Sequence, residues 1–208
     1  MSKRSKARII FFLYILVLLC FDTTYSFMIF NLFLAFAALE LSFLLPLFRI
    51  RNNKEIVMSM FFVVTFILLS PNAIYVVTDL IHLTFFDFDF MEGLELKEWW
   101  NFTILVSGVF LALFYYVLMM DQVRAFLGRS KWMNLILLLM IILSSIGVYI
   151  GRFLRFHSIH IFTEPLTVVF QIVHSLDYSS VLFIGWMTIL QIIICWLFLD
   201  EVGVKNGT

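Results

Sequence analysis

Two short runs of the chain carry most of the side chains able to do chemistry. In Ser70-Pro71-Asn72-Ala73-Ile74-Tyr75-Val76-Val77-Thr78-Asp79-Leu80-Ile81-His82, the residues Asn72, Tyr75, Asp79 and His82 recur at steps of three and four. On a helix that spacing puts them on one face, with Asp79 and His82 a turn apart. A carboxylate and an imidazole so placed are candidates for base and acid. They would equally serve as a polar cavity wall, or as an interfacial turn in which Asp79 only caps or pairs. The second run is Gly147-Val148-Tyr149-Ile150-Gly151-Arg152-Phe153-Leu154-Arg155-Phe156-His157-Ser158, where Arg152 and Arg155 are again a turn apart. The planar guanidinium fork matches carboxylate or phosphate. Three readings stand for these arginines: a salt bridge to Asp79 or a loop acid, an anion site for a lipid phosphate or other anionic substrate, or snorkelling.

Further groups are more scattered. His157, His160, His174, Asp87 and Glu164, with Asp79, His82 and Asp89, offer the imidazole and carboxylate ligands that suit zinc or manganese. Their spacings match no metal signature, so no cofactor is expected beyond this one candidate, a divalent metal. The acidic stretch from Asp87 to Glu98 also reads as a solvated loop. Glu40 lies inside the apolar run Ala37-Ala38-Leu39-Glu40-Leu41-Ser42 and must face protein or water. A proton relay, or a pairing with Asn31 or a hydroxyl of another span, would meet that need. Asn101-Phe102-Thr103 matches the glycosylation pattern but falls at a predicted membrane boundary.

The elements that position these groups follow from composition. Of 208 residues, 63% are apolar and 13% charged, and mean hydropathy is +1.05. A soluble domain has about half its residues apolar and about a quarter charged, and a disordered chain needs the reverse balance. Both are excluded. The chain reads as an all-α integral membrane protein, one domain of about six spans near 8–22, 27–48, 56–77, 99–120, 132–150 and 181–199. Pro71 should kink or break the third span. Thr163-Glu164-Pro165 should open a short amphipathic outer helix, with Leu166, Val169, Phe170 and Val173 on its apolar face. A cleaved signal peptide is the rival reading of the first span, since Lys3, Arg4, Lys6 and Arg8 precede it.

Charge segregates by segment although the total balances at 14 against 14. With both termini in the cytoplasm, only Lys97, Arg152 and Arg155 of the basic residues lie outside, which is the expected positive-inside bias. Nine acidic residues and all four histidines then lie outside. No nucleic-acid partner is expected. Cys20 and Cys195 both sit in apolar runs and suggest neither a disulfide framework nor a metal site.

Three segments together resemble a known family: Asn31-Leu32-Phe33-Leu34-Ala35-Phe36, Pro71-Asn72-Ala73 through Thr78-Asp79-Leu80-Ile81-His82-Leu83, and Gly151-Arg152-Phe153-Leu154-Arg155 with Ser158. The family is a group of bacterial polytopic membrane proteins known as a domain of unknown function, number thirteen sixty-one in that series. The resemblance runs from about Tyr25 into the sixth span and implies a bacterial inner-membrane protein without an assigned activity. It implies a shared set of Asn31, Asn72, Asp79, His82, Arg152, Arg155 and Ser158. The family pattern has Asn and Asp at the positions of His157 and His160, which weakens a metal role for those two. It also has Trp-Tyr-Asp at Trp99-Trp100-Asn101.

Three functions remain open. The chain is a non-catalytic subunit whose polar cluster glues spans together beside another membrane protein. Or it handles an anionic envelope lipid or glycan precursor, with Arg152 and Arg155 on a lipid-linked phosphate and Asp79 and His82 as base and acid. Or it is an ion-coupled carrier lined by the third span and Glu40, although no second broken helix accompanies the first. A separate expectation is that Arg152, Arg155, Asp79 and His82 meet in one cluster at the outer membrane boundary. If they lay apart they would be separate local caps, and the non-catalytic reading would gain.

Overall fold

The computed structural model describes residues 1–50, 52–85, 93–154, 170–171 and 174–199. Every regular element among them is helical: α1 (Lys3–Cys20), α2 (Phe27–Ser42), α3 (Ile56–Leu69), α4 (Pro71–Tyr75), α5 (Leu96–Leu127), α6 (Met133–Tyr149) and α7 (Tyr178–Phe198). Short 3-10 turns at Leu45–Phe48 and Asn53–Glu55 flank the connection from α2 to α3. A longer 3-10 segment, Val76–Phe85, continues α4, and a π turn, Ile150–Leu154, continues α6. Of the six expected spans, four are long and apolar enough to cross a membrane: Asn53–Phe85, Leu96–Leu127, Met133–Leu154 and Tyr178–Phe198. α2 is apolar but shorter. This is an all-α membrane protein.

α5 is the hub. Its 32 residues make a rod about 48 Å long, well beyond a hydrocarbon core of about 30 Å. A helix apolar all round belongs in a protein core or in a membrane, and α5 buries many side chains between Asn101 and Val123 against its neighbours while leaving Phe110 exposed. Tyr14 of α1 donates its hydroxyl to the Ile104 carbonyl at 2.8 Å, and Tyr115 donates to the Ala7 carbonyl at 3.3 Å. These bonds set α1 antiparallel to α5 and supply the partners that buried phenols need. Asn101 is buried; its Oδ1 accepts from the Thr24 backbone N–H and its Nδ2 donates to the Lys97 carbonyl. It ties down the α1–α2 turn, with both ends of its amide engaged. α5 ends at Gly128, whose φ of 61° an L side chain adopts only at a cost.

α2 stops at Ser42, six residues before the expected end of its span. Pro46 cannot donate to the Ser42 carbonyl and would clash with it in a continued helix, so the chain tightens into the 3-10 turn that Pro46 opens. The amphipathic outer helix expected around 163–174 lies outside the described residues, save for short pieces at Phe170 and His174. α7 begins with a reciprocal capping box between Asp177 and Ser180. Hydrogen bonds from Ser180 hold the exposed Asp177 carboxyl below its ordinary range.

Candidate functional site

The break in the third span satisfies itself. Pro71 has no N–H, so the Ile67 carbonyl four residues back loses its helical donor. Ser70 Oγ donates to that oxygen at 2.9 Å, and Asn72 Nδ2 donates to the Leu69 carbonyl at 2.9 Å. Irregular backbone inside a membrane protein requires such internal partners. Asn72 therefore belongs to the break, and the structure does not bring it to Asp79.

Two glycines then let α4 lie against α6. A Cβ at Gly147 would stand 2.5 Å from Pro71 Cγ, and one at Gly151 would stand 3.2 Å from Tyr75 Cε2. Four residues apart, they share one face of the helix, and small residues at that spacing allow close approach of spans. The next residue is Arg152, in the π turn, a helix type that appears mostly as single turns and often at functional sites. Its guanidinium lies over the Tyr75 ring, 4.5 Å from the centroid.

Across from it, residues 76–85 are 3-10 helix, in which side chains three apart eclipse. Asp79 and His82 are thereby stacked. Arg152 Nη2 donates to Asp79 Oδ1 at 2.5 Å and to Thr78 Oγ1 at 2.5 Å, and Nε donates to the same hydroxyl oxygen at 3.0 Å. Thr78 Oγ1 donates its own hydrogen bond to the Tyr75 carbonyl at 2.6 Å, which leaves its lone pairs for the guanidinium. Asn31 of α2 donates to the other carboxylate oxygen, Oδ2, at 2.9 Å. The Asp79 side chain is 1% exposed and that of Arg152 17%. One carboxylate thus joins α2, the 3-10 segment and the end of α6.

His82 closes the more exposed side of this cluster. Its Nε2 lies 3.9 Å from Asp79 Oδ1, too far for a hydrogen bond, and its side chain is 24% exposed. Its ring stands between Phe27 (4.7 Å) and Phe85 (4.9 Å), and its backbone carbonyl accepts from the Tyr25 hydroxyl at 3.2 Å. The imidazole is the titratable group of the cluster most open to its surroundings.

Glu40 is held elsewhere, and not by Asn31 or a hydroxyl. Arg8 grips it with Nε on Oε1 at 2.7 Å and Nη2 on Oε2 at 2.7 Å, and Arg4 Nη2 reaches Oε2 at 2.5 Å. Arg4 also lies over the Phe43 ring at 4.4 Å. Because Pro46 shortens α2, Glu40 falls in its last turn, beside the start of α1. A carboxylate is unfavourable at a helix C-terminus, and the two arginines offset it.

The structure brings together Asn31, Tyr75, Asp79, His82 and Arg152. Arg155 and Ser158 of the expected cluster, and His157, His160, Asp87 and Glu164 of the candidate metal set, lie outside the described residues. His174 is exposed and packs its ring on Phe170, 4.2 Å away. Among the described residues no three His, Cys, Asp or Glu side chains gather at one point. Thr78 was not singled out by spacing; the available signal was a hydroxyl next to the acid, one 3-10 turn beyond Tyr75.

The family described as a protein of unknown function (DUF1361) matches residues 30–194, well over half of the chain. No curated protein and no solved structure matches it. The matched stretch runs from Asn31 through Asp79, His82 and Arg152 into α7, and the chain belongs to the DUF1361 family.

Proposed function

We propose that this chain is a non-catalytic subunit of a bacterial cytoplasmic membrane, working beside another membrane protein, and that Asp79–Arg152 is its internal clamp. The observation that carries this reading is the closure of the carboxylate. Both oxygens of Asp79 are taken by protein donors and almost none of its side chain is exposed. A general base must come within hydrogen-bond reach of a substrate proton, and Asp79 is spoken for. The guanidinium is likewise shared between Asp79 and Thr78, so the pair is neutral as it stands. Orientation follows the basic residues: the end bearing Lys3, Arg4, Lys6 and Arg8 faces the cytoplasm, and the Asp79 cluster faces out.

Purification of the tagged chain from its native membrane in mild detergent tests this. A membrane protein recovered in fixed stoichiometry is expected. Recovery of the chain alone, with one phospholipid or lipid-linked phosphate per copy, would overturn it. That result would favour a second reading, for which His82 speaks. A partly exposed imidazole backed by a carboxylate and beside an arginine suits the handling of an anionic envelope lipid or glycan precursor. Topology is tested separately by cysteine labelling of intact cells. Residue 93 should label from outside and residue 52 should be protected.

A further inference from the structure

The ten residues Val76–Phe85 form one 3-10 segment, although such runs rarely exceed about 3–4 residues because their hydrogen bonds are less well aligned. Something must favour this form over α-helix, and the contacts on Asp79 supply it. The two forms differ by about 20° of turn and about 0.5 Å of rise per residue. Tyr75 is fixed at the start of the segment by Gly151 and by the Arg152 guanidinium. Counted from there, conversion to α-helix would rotate Asp79 by about 80° and draw it back about 2 Å. Its carboxylate could then no longer lie between Asn31 on α2 and Arg152 beyond α6. His82 would rotate about 140° away from Phe27, and the backbone at Thr84 would retract about 4.5 Å.

We propose that Val76–Phe85 is a length-changing segment, held in its longer 3-10 form by the Asp79–Arg152 pair and released to α-helix when the pair is lost. The inference rests on the clamp reading and adds a moving part to it. Any phosphate or carboxylate that engages Arg152 in place of Asp79 would trigger the change. The signal would be the inward retraction of the Phe85 end.

The test is a distance measured along the third span of the full chain in lipid nanodiscs. Spin labels are placed at Lys54→Cys and Thr84→Cys, both exposed positions, with Cys20 and Cys195 changed to Ser. Asp79→Asn and Arg152→Gln should each shorten the separation by about 4–5 Å relative to the parent. An unchanged distance would overturn the proposal, and so would a broad one, which means melting rather than shortening. Where the charge variants fail to fold, Asn31→Ala removes only a neutral hydrogen bond and should yield a second, shorter population. A single unshifted distance there would overturn it too. If Asp79 and Arg152 prove energetically uncoupled, the clamp itself fails. If they are coupled but the distance stays fixed, only the length change fails.

Discussion

α2 carries a partner for one ion cluster near each of its ends, and the two clusters are built differently. Asn31 and Glu40 are nine residues apart, about 13 Å along the axis and on opposite faces. At Glu40, two arginines from the start of α1 meet one carboxylate that is 22% exposed, and Arg8 is 48% exposed. All three residues sit on ordinary α-helix. At Asp79, one arginine meets one carboxylate almost without exposure, and both stand on non-α backbone. Water can solvate the first cluster if a partner is removed. It has little access to the second. The geometry is tight in both places, so exposure, and not bond length, should decide what each is worth.

The comparison is broken most directly at the buried pair. Removing one partner strands a charge, at a cost of about 3–5 kcal/mol. Asp79→Asn and Arg152→Gln should therefore lower the unfolding midpoint sharply in detergent, and much of each variant should elute as aggregate on size exclusion. The next largest effect is expected where α4 meets α6. Gly147→Val forces a side chain against Pro71 and should cost about 1–3 kcal/mol. By contrast, Glu40→Gln should cost about 1 kcal/mol or less, in the range of exposed pairs, and less still as salt is raised. An unfolding midpoint that falls further for Glu40→Gln than for Asp79→Asn would reverse the comparison. The smallest effect should come from Gly185→Ala on α7, where a Cβ meets nothing within 4 Å. It should be neutral, or stabilising by up to about 1 kcal/mol from helix propensity.

The difference between the clusters also marks what could be read from the chain itself. Asp79 and Arg152 were legible as partners because both stand at the C-terminal end of spans expected to run the same way, so depth alone matched them. The helix types were not legible, because 3-10 and π turns leave no strong periodicity of their own. Thr78 escaped for that reason: it meets Arg152 through the winding of the backbone after Tyr75. Asn72 shared the stripe spacing of Asp79, yet its amide serves the Leu69 carbonyl that the Pro71 break exposes. Glu40 was misplaced by hydropathy, since the apolar run continues past Ser42 while Pro46 ends the helix. Its partners then come from the charged start of α1, not from Asn31 or a hydroxyl.

The central claim is that Asp79 and Arg152 act as one unit, and a double-mutant cycle on the unfolding free energy tests it most directly. Asp79→Asn, Arg152→Gln and the double variant are compared with the parent in the same detergent. If the pair is a clamp, the second substitution should cost far less once the first has been made. The coupling should then be on the order of 2–3 kcal/mol, within the span seen for contacting residues. Costs that add to within about 0.5 kcal/mol, as they do for distant sites, would contradict it.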